Sequence, residues 1–340
     1  MIYRSKAPLR IGLAGGGTDV SPYSDEFGGA ILNATISLSA YASIEPIPGN
    51  TIIVEALDRK EEEHFEWSPA LPINGTLDLL KGVYNRINAM YGLPSSGFRL
   101  STFVDAPAGS GLGTSSTLVV AILGAFVEML KLPLGDYDIA HLAYQVERED
   151  LLLAGGKQDQ YAATFGGVNF MEFYGDDQVI VNPLRIRSEY LHELGNNLVL
   201  YFTATSRESA AIIKEQVKNV QDRNEKSIEA MHQLKEQAKM MKEALLKGKL
   251  NEIGEILDFG FEQKRRMADN ISNYSIEEIY EAAKKAGAMG GKISGAGGGG
   301  FMIFYCPKNT RYAVIDSLKS FGGEIRDYSF TKYGLTTWTI

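Results

Sequence analysis

Residues 105–117 decide the fold, and they read Asp105-Ala106-Pro107-Ala108-Gly109-Ser110-Gly111-Leu112-Gly113-Thr114-Ser115-Ser116-Thr117. The preceding segment, Phe98 to Val104, alternates and predicts a strand, whereas Leu118 to Leu130 is mostly apolar and predicts a buried helix. The glycines therefore lie in a turn at a helix N-terminus. Free backbone N–H groups and the positive end of the helix dipole meet there, which favours the binding of a phosphate.

Two better-known glycine-rich loops do not fit this stretch. A P-loop ends in Gly-Lys-Ser/Thr, and the stretch contains no lysine. A dinucleotide-binding fingerprint needs a third glycine, and Thr114 stands at that position. A purely local alternative stays open, in which the serines and threonines only cap the following helix.

Three motifs resemble those of the GHMP kinases, the family of galactokinase, homoserine kinase, mevalonate kinase and phosphomevalonate kinase. They are Ala7 to Asp19 (Ala-Pro-Leu-Arg-Ile-Gly-Leu-Ala-Gly-Gly-Gly-Thr-Asp), Pro107 to Ser116, and Lys292 to Gly300 (Lys-Ile-Ser-Gly-Ala-Gly-Gly-Gly-Gly). The resemblance covers the whole chain and implies an α+β fold of two domains. The implied domains are an ATP-binding domain of the ribosomal protein S5 domain 2 type, residues 1–183, and a ferredoxin-like domain with extra helices, residues 184–340.

The same resemblance implies phosphoryl transfer from ATP with the help of Mg²⁺. The implied ATP-binding residues are Pro107, Gly109, Ser110, Gly111, Leu112, Gly113, Thr114, Ser115 and Ser116. Ser115 and Glu147 are the implied metal ligands. The implied catalytic residues are Arg10, a cation beside the transferred group, and Asp159, a carboxylate beside the acceptor hydroxyl. Taken alone, Glu147 also suits a solvated ion pair with Arg148, and Asp159 suits the cap of a short helix.

The first motif bears on the acceptor. It ends in Gly-Gly-Gly-Thr-Asp where galactokinases carry Gly-Glu-His-Thr-Asp. This form resembles that of family members that phosphorylate the anomeric hydroxyl of D-glycero-D-manno-heptose 7-phosphate, and kinases of fucose-like sugars carry a related loop. The implied partners are therefore a small sugar phosphate and ATP. The implied substrate-binding residues are Gly16, Gly17, Thr18, Asp19, Lys157, Arg207, Gly297 and Gly298.

Three of these residues have plainer interpretations. Asp19 also suits an Asx turn, in which its carboxylate bonds nearby N–H groups. Arg207 is our first candidate for binding the sugar's own phosphate and Lys157 the second, because such a dianion needs local cationic partners. Both also suit solvated surface charges. A sensor that binds ATP and sugar without turnover is the non-enzymatic alternative.

Composition narrows the remaining classes of protein. The chain has 340 residues, 44% hydrophobic and 22% charged, which predicts a globular protein of two domains or one large one. Its net charge of −8 argues against general nucleic-acid binding. The single cysteine, Cys306, excludes an intramolecular disulfide and a cysteine-based zinc site. We find no signal peptide or membrane-spanning segment in the sequence, and we expect a cytoplasmic monomer or homodimer.

Periodicity predicts several further elements. We expect two strands over 30–36 and 40–47, a helix over 133–155, a hairpin over 168–181 and a pair of amphipathic helices over 210–246. Helices alternate with antiparallel strands in the second half, which favours an α+β domain there.

Overall fold

The computed structural model describes residues 1–204 and 209–340. The strands are β1 (Tyr3–Ala14), β2 (Gly29–Pro46), β3 (Thr51–Ala56), β4 (Glu61–Glu66), β5 (Phe98–Val104), β6 (Val168–Phe173), β7 (Val179–Pro183), β8 (Leu198–Phe202), β9 (Gly290–Ile293), β10 (Phe301–Tyr305), β11 (Glu324–Ile325) and β12 (Thr336–Thr339). The helices are α1 (Tyr23–Phe27), α2 (Asp78–Tyr91), α3 (Thr114–Leu130), α4 (Asp136–Gln145), α5 (Gln158–Phe165), α6 (Ser188–Asn197), α7 (Ser209–Gln221), α8 (Glu225–Lys247), α9 (Ile253–Met267), α10 (Tyr274–Lys285) and α11 (Arg311–Leu318).

The first sheet is organised around β2. It has the order β12-β1-β2-β5-β3-β4, with β6 paired to β2 and β7 paired to β6. β2 has 18 residues, so it pairs with β1 on one edge and with both β5 and β6 on the other. The two strands expected here are one continuous strand. The predicted break appears instead as a register shift opposite Pro8 and Arg10 of β1.

The helix that follows the glycine loop is buried on every side. Residues 119–126 of α3 are all buried, because α3 packs on β1 and β2 and is flanked by α2, α4 and α5. A helix that is apolar all round belongs in a protein core, as the sequence predicts for this segment. Its burial fixes the position of its N-terminus, where the glycine loop lies.

The second sheet is antiparallel, with the order β11-β8-β10-β9, and α9 packs against β9 and β10. The two sheets share one hydrophobic cluster, which joins Leu9 and Ile11 of β1 to Leu257 of α9 and Ile303 of β10. This junction fixes the second sheet and its helices against the first motif. The expected α+β architecture, the hairpin of β6 and β7 and the helix pair α7–α8 are all confirmed.

Three details differ from the sequence-based expectations. The helix expected over 133–155 ends at Gln145 and continues only as a π-helical turn, Val146–Asp150. The helix α6 was not predicted. β12 pairs with β1 and therefore belongs to the first sheet. The domain ranges 1–183 and 184–340 stay predictions. Within the described ranges, none of the helices is long and apolar enough to span a membrane.

Candidate active site

The glycine loop ends at α3 in a conformation that favours glycine. Gly109, Gly111 and Gly113 have φ values of 71°, 81° and 77°, in the left-handed region. Gly113 is the N-cap of α3, and no described side chain caps this helix. The local alternative, in which hydroxyls serve only as caps, is therefore wrong. The hydroxyl-bearing residues Thr114 to Ser116 line a cavity instead.

The third motif packs directly against this loop. The Ser294 hydroxyl donates to the Gly111 carbonyl at 2.8 Å, and the Phe301 N–H donates to the Ser110 carbonyl at 2.8 Å. A Cβ atom on Gly295 would lie 2.7 Å from the Gly111 Cα, so the two backbones touch. The glycine turn of the third motif therefore lies against the glycine loop before α3.

The cavity has a volume of about 300 Å³, and its lining includes residues of β1, α9, β9 and the glycine loop. Twelve of the predicted site residues line the cavity, namely Arg10, Gly16, Gly17, Asp19, Gly109, Gly111, Gly113, Thr114, Ser115, Ser116, Glu147 and Asp159. The remaining nominated loop residues have other surroundings. The Pro107 carbonyl accepts from the Ser110 N–H at 3.2 Å, and Leu112 is buried in the core.

An ion pair lies at the centre of the cavity. Arg10 donates from Nε to Asp159 Oδ1 at 2.7 Å, and its Nη2 lies 2.6 Å from the same oxygen. Its Nη1 donates to the Gly111 carbonyl at 2.6 Å, which links the pair to the glycine loop. The Arg10 side chain is 4% exposed and that of Asp159 is 23% exposed, so the carboxylate is the more accessible partner. Lys157 is the N-cap of α5, so the interpretation of Asp159 as a helix cap is wrong.

Asp19 lies next to this pair and is almost fully buried. Its Oδ2 accepts the Gln158 N–H at 3.0 Å, and a Cβ atom on Gly156 would lie only 2.0 Å from that oxygen. These partners are far away in sequence, so a local Asx turn does not describe Asp19. Burial, and then the charge of Asp159, raises the pKa of Asp19. Thr18 instead holds the loop, because its hydroxyl donates to the Gly15 carbonyl at 2.9 Å.

We expect Asp19→Asn to weaken sugar binding without loss of fold stability. A raised pKa in the folded state means that ionisation of Asp19 lowers stability as the pH rises through that pKa. The asparagine variant should therefore unfold at an equal or higher temperature than the wild type at neutral pH. Its KM for the sugar should rise about tenfold or more, the scale of a lost hydrogen bond to a charged group. Thermal unfolding and steady-state kinetics measure both. A lower unfolding temperature with an unchanged KM would contradict the predicted role of Asp19 in sugar binding.

Glu147 lies on the π-helical turn, a distortion that is frequent at functional sites. Its Oε2 accepts from Gln160 Nε2 at 2.5 Å, and Arg148 Nη1 lies 3.7 Å from Oε1. The side chain is 2% exposed, so the interpretation as a solvated ion pair is wrong. Burial is the largest influence on its pKa and raises it, although Arg148, Ser116 and Gln160 act in the opposite direction.

Some of the predicted site residues lie away from the cavity, and several residues that line the cavity were not predicted. Lys157 Nζ lies 3.3 Å from Asp25 and 3.0 Å from Asp177, and Gly297 and Gly298 lie against Ile271. Arg207 lies outside the described residues. The roles of these four residues in substrate binding stay predictions. The lining residues that sequence reasoning missed include Gly156, Gln158, Gln216, Lys264 and Lys292. Lys292 belongs to the third motif, and Gly156 and Gln158 are close neighbours of Asp159 in the sequence, whereas Gln216 and Lys264 belong to no motif.

A second cavity of about 300 Å³ adjoins the first and shares Thr114, Ser115 and Leu153 with it. Its wall is largely apolar and includes Ile73, Leu77, Val104, Leu118 and Leu151. An apolar cavity beside a phosphate loop suits a planar base. No sequence pattern predicted this cavity, because its residues come from separate strands, loops and helices.

Comparison with known proteins gives the family. Models of the GHMP kinase N-terminal and C-terminal domains match residues 78–167 and 241–324. The chain is also 46% identical over 337 residues to the D-glycero-alpha-D-manno-heptose 7-phosphate kinase of Campylobacter jejuni, with 99% of each chain covered. The chain belongs to the GHMP kinase family. The two-domain GHMP fold predicted from the sequence is therefore confirmed, and the protein is a sugar kinase that uses ATP as co-substrate.

Two further relatives of this GHMP kinase differ in their named substrates. A crystal structure of a D-glycero-D-manno-heptose 1-phosphate kinase from B. thetaiotaomicron has a TM-score of 0.85 and 46% identity, with 99% of each chain covered. The L-fucokinase/L-fucose-1-P guanylyltransferase of Bacteroides fragilis is 27% identical over 91% of this chain. The chain spans only 35% of the length of that bifunctional protein.

Proposed function

We propose that this GHMP kinase transfers the γ-phosphoryl group of ATP to the anomeric hydroxyl of D-glycero-D-manno-heptose 7-phosphate. The product would be the 1,7-bisphosphate, which serves the synthesis of nucleotide-activated heptose. The observation that carries the proposal is the placement of Asp159, which Arg10 holds beside the phosphate loop and next to Asp19. The heptose 7-phosphate kinase of C. jejuni, at 46% identity, supports the choice of sugar.

Each group in the cavity has a role in this reaction. The loop around Gly111 and the N-terminus of α3 would hold the phosphates of ATP, and the apolar second cavity would hold its base. Asp159 would orient the acceptor hydroxyl and accept its proton as the bond to phosphorus forms. Arg10 would stabilise charge on the transferred group, which is the main task of a protein in phosphoryl transfer. Asp19 would accept hydrogen bonds from sugar hydroxyls.

The residues fit a magnesium ion. Glu147 offers a buried carboxylate, and Ser115 and Ser116 supply hydroxyl-bearing side chains in the wall of the same cavity. No cluster of three His, Cys, Asp or Glu side chains occurs across the described ranges, so the phosphates and water would complete the ligand set. We propose Glu147 and Ser115 as the protein ligands. Bound magnesium would neutralise charge on the phosphates of ATP.

We expect Glu147→Gln and Ser115→Ala each to raise the magnesium concentration that gives half-maximal rate. The amide and the methyl group are poorer ligands than the carboxylate and the hydroxyl, whereas the shape of the site changes little. A titration of rate against magnesium at saturating ATP measures this. Thr310→Ala, far from the cavity on the loop before α11, is a matched control. If both site variants keep the wild-type magnesium dependence, then phosphates and water alone hold the ion.

A substrate panel tests the proposed function. Heptose 7-phosphate, unphosphorylated heptose, fucose, galactose and mevalonate would each be incubated with ATP, and ADP formation would be measured. We expect the highest kcat/KM for heptose 7-phosphate. A preference for fucose would favour the fucose-like alternative, and binding of ATP and sugar without turnover would favour the sensor.

A further inference from the structure

Four lysines are buried in the parts of the chain that the structure describes, and they fall into two pairs. Lys81 lies 2.9 Å from Glu63 and 3.3 Å from Asp78, and Lys157 contacts Asp25 and Asp177. These two ammonium groups have carboxylate partners and lie away from the cavity. The other two, Lys264 and Lys292, both line the cavity.

The cavity lysines have unusually few partners. Lys264 Nζ donates to the Gly295 carbonyl at 2.7 Å, and Lys292 Nζ donates to the Gly12 carbonyl at 2.9 Å. Among residues 1–204 and 209–340, no carboxylate oxygen lies within 4 Å of either ammonium nitrogen. Each ammonium has three N–H donors. Among the described residues, two N–H donors on each lysine therefore have no hydrogen-bond acceptor.

Burial of these two charges is costly in the free enzyme. Burial is the largest influence on both groups, and it lowers the pKa of Lys264 to about 8 even though the charge of Asp19 acts in the opposite direction. Burial, and then the charges of Lys264 and Arg10, lowers the pKa of Lys292 well below its ordinary value. A buried charge normally has a partner, so the missing counter-charge points to an anionic ligand.

The position of Lys264 indicates which anion it meets. A Cβ atom on Gly16 would lie 3.7 Å from Lys264 Nζ, so the ammonium group lies beside the first motif. Asp19, in the same motif, also influences its charge. Glu147 and Ser116, the groups suited to magnesium and ATP, both contact Gln160 Nε2, whereas the hydrogen-bond acceptor of Lys264 is the Gly295 carbonyl. The anion should therefore belong to the sugar.

We propose that Lys264 and Lys292 bind the phosphate group that the sugar substrate already carries. This inference rests on the proposed function, since it concerns the distal end of the same sugar site. It adds Lys264 and Lys292 to Arg207 and Lys157, whose roles in that contact stay predictions. The two lysines come from α9 and β9 of the second domain, and they reach into a site whose hydroxyl-binding carboxylate, Asp19, comes from the first.

Lys264→Met tests the proposal through a comparison of kcat/KM for phosphorylated and unphosphorylated heptose. We expect kcat/KM for heptose 7-phosphate to fall roughly 10- to 100-fold, the scale of a lost charge-assisted hydrogen bond, while that for unphosphorylated heptose changes little. Lys292→Met should act in the same direction. Lys81→Met is the matched control, because it makes the same change at a buried lysine away from the cavity, and it should leave the ratio of the two values unchanged.

A second test uses binding alone and does not depend on turnover. Calorimetry without ATP would compare heptose 7-phosphate and mannose 6-phosphate with their unphosphorylated sugars, in the wild type and in Lys264→Met. We expect the wild type to prefer both phosphorylated sugars and the variant to lose that preference. The variant should also unfold at an equal or higher temperature than the wild type, since it removes an uncompensated buried charge.

The pH dependence of binding separates a charge effect from a structural one. Lys264 with a pKa of about 8 is protonated below that pH, so affinity for the sugar phosphate should fall as the pH rises through 8. The charged groups that face it are Asp19, Arg10 and Lys292. Lys292→Met isolates any contribution from Lys292. Lys264→Met should abolish most of the fall.

Distinct outcomes would overturn the inference. If Lys264→Met lowers kcat/KM equally for phosphorylated and unphosphorylated heptose, the lysine acts on the transferred phosphoryl group instead. If the variant keeps the wild-type preference for phosphorylated sugars in calorimetry, the sugar phosphate binds elsewhere. A wild type that binds sugar phosphates through Lys264 but does not phosphorylate heptose 7-phosphate would contradict only the proposed function.

Discussion

Asp159→Asn is expected to lower kcat by roughly 10²- to 10⁴-fold, the usual contribution of a positioned acid or base. The amide keeps the shape of the side chain but cannot accept the proton of the acceptor hydroxyl. It also weakens the contact to Arg10, whose Nε and Nη2 both lie within 2.7 Å of Asp159 Oδ1. The affinity for ATP should change little, because the proposed role of this carboxylate is toward the acceptor hydroxyl and not toward ATP.

A matched control separates the chemical effect from a loss of structure. Asp138→Asn removes a carboxylate in the first turn of α4, away from the cavity, and should keep the wild-type kcat. Thermal unfolding of Asp159→Asn would show how much of the effect comes from the unpaired guanidinium of Arg10, since removal of one partner of a buried pair often costs about 3–5 kcal/mol. A folded Asp159→Asn enzyme with near-normal kcat would remove Asp159 from the mechanism.

Gly111→Ala is expected to disrupt the phosphate loop. Gly111 has a φ of 81°, and a Cβ atom there would lie 2.5 Å from the Ser294 carbonyl oxygen. The left-handed conformation alone costs alanine about 1–2 kcal/mol. The clash is with backbone, so the loop and the third motif must also move apart. We expect the KM for ATP to rise about tenfold or more and the unfolding temperature to fall.

Gly135→Ala is the matched control for this substitution. Gly135 precedes α4 with a φ of −84°, and a Cβ atom there would meet only Asp138 Oδ2 at 3.5 Å, an ordinary contact. This variant should keep the wild-type KM, and its unfolding temperature should fall less than that of Gly111→Ala. Gly111→Ala with the kinetics of the wild type would show that the contact between the loop and the third motif is not needed for ATP binding.

Much of the candidate site could be predicted from the sequence, because its central residues lie in short motifs. The left-handed conformations of Gly109, Gly111 and Gly113 favour glycine, so the glycines in the sequence predict the backbone conformation there. The buried helix α3 followed from its uninterrupted apolar composition. Arg10 and Asp159 were nominated from the family resemblance, but their ion pair joins residues 149 positions apart, and only the fold shows it.

The features that escaped prediction depend on contacts between distant segments. Lys264 lies in α9 among other basic residues, and nothing in that helix distinguishes it from a solvated lysine before the fold buries it against Gly295. The π-helical turn at Glu147 has the composition of an ordinary helix, so periodicity extended α4 too far. β12 pairs with the first strand of the chain, a contact that no local pattern records.

The most direct test of the central claim is the position of the new phosphate. Purified enzyme would be incubated with ATP, magnesium and D-glycero-D-manno-heptose 7-phosphate, and the product would be analysed by phosphorus–proton correlation NMR. We predict a new phosphate coupled to the anomeric proton, with the original phosphate retained at the far end of the sugar. A new phosphate on any other carbon, or no product from this sugar while an unphosphorylated sugar is turned over, would contradict the account.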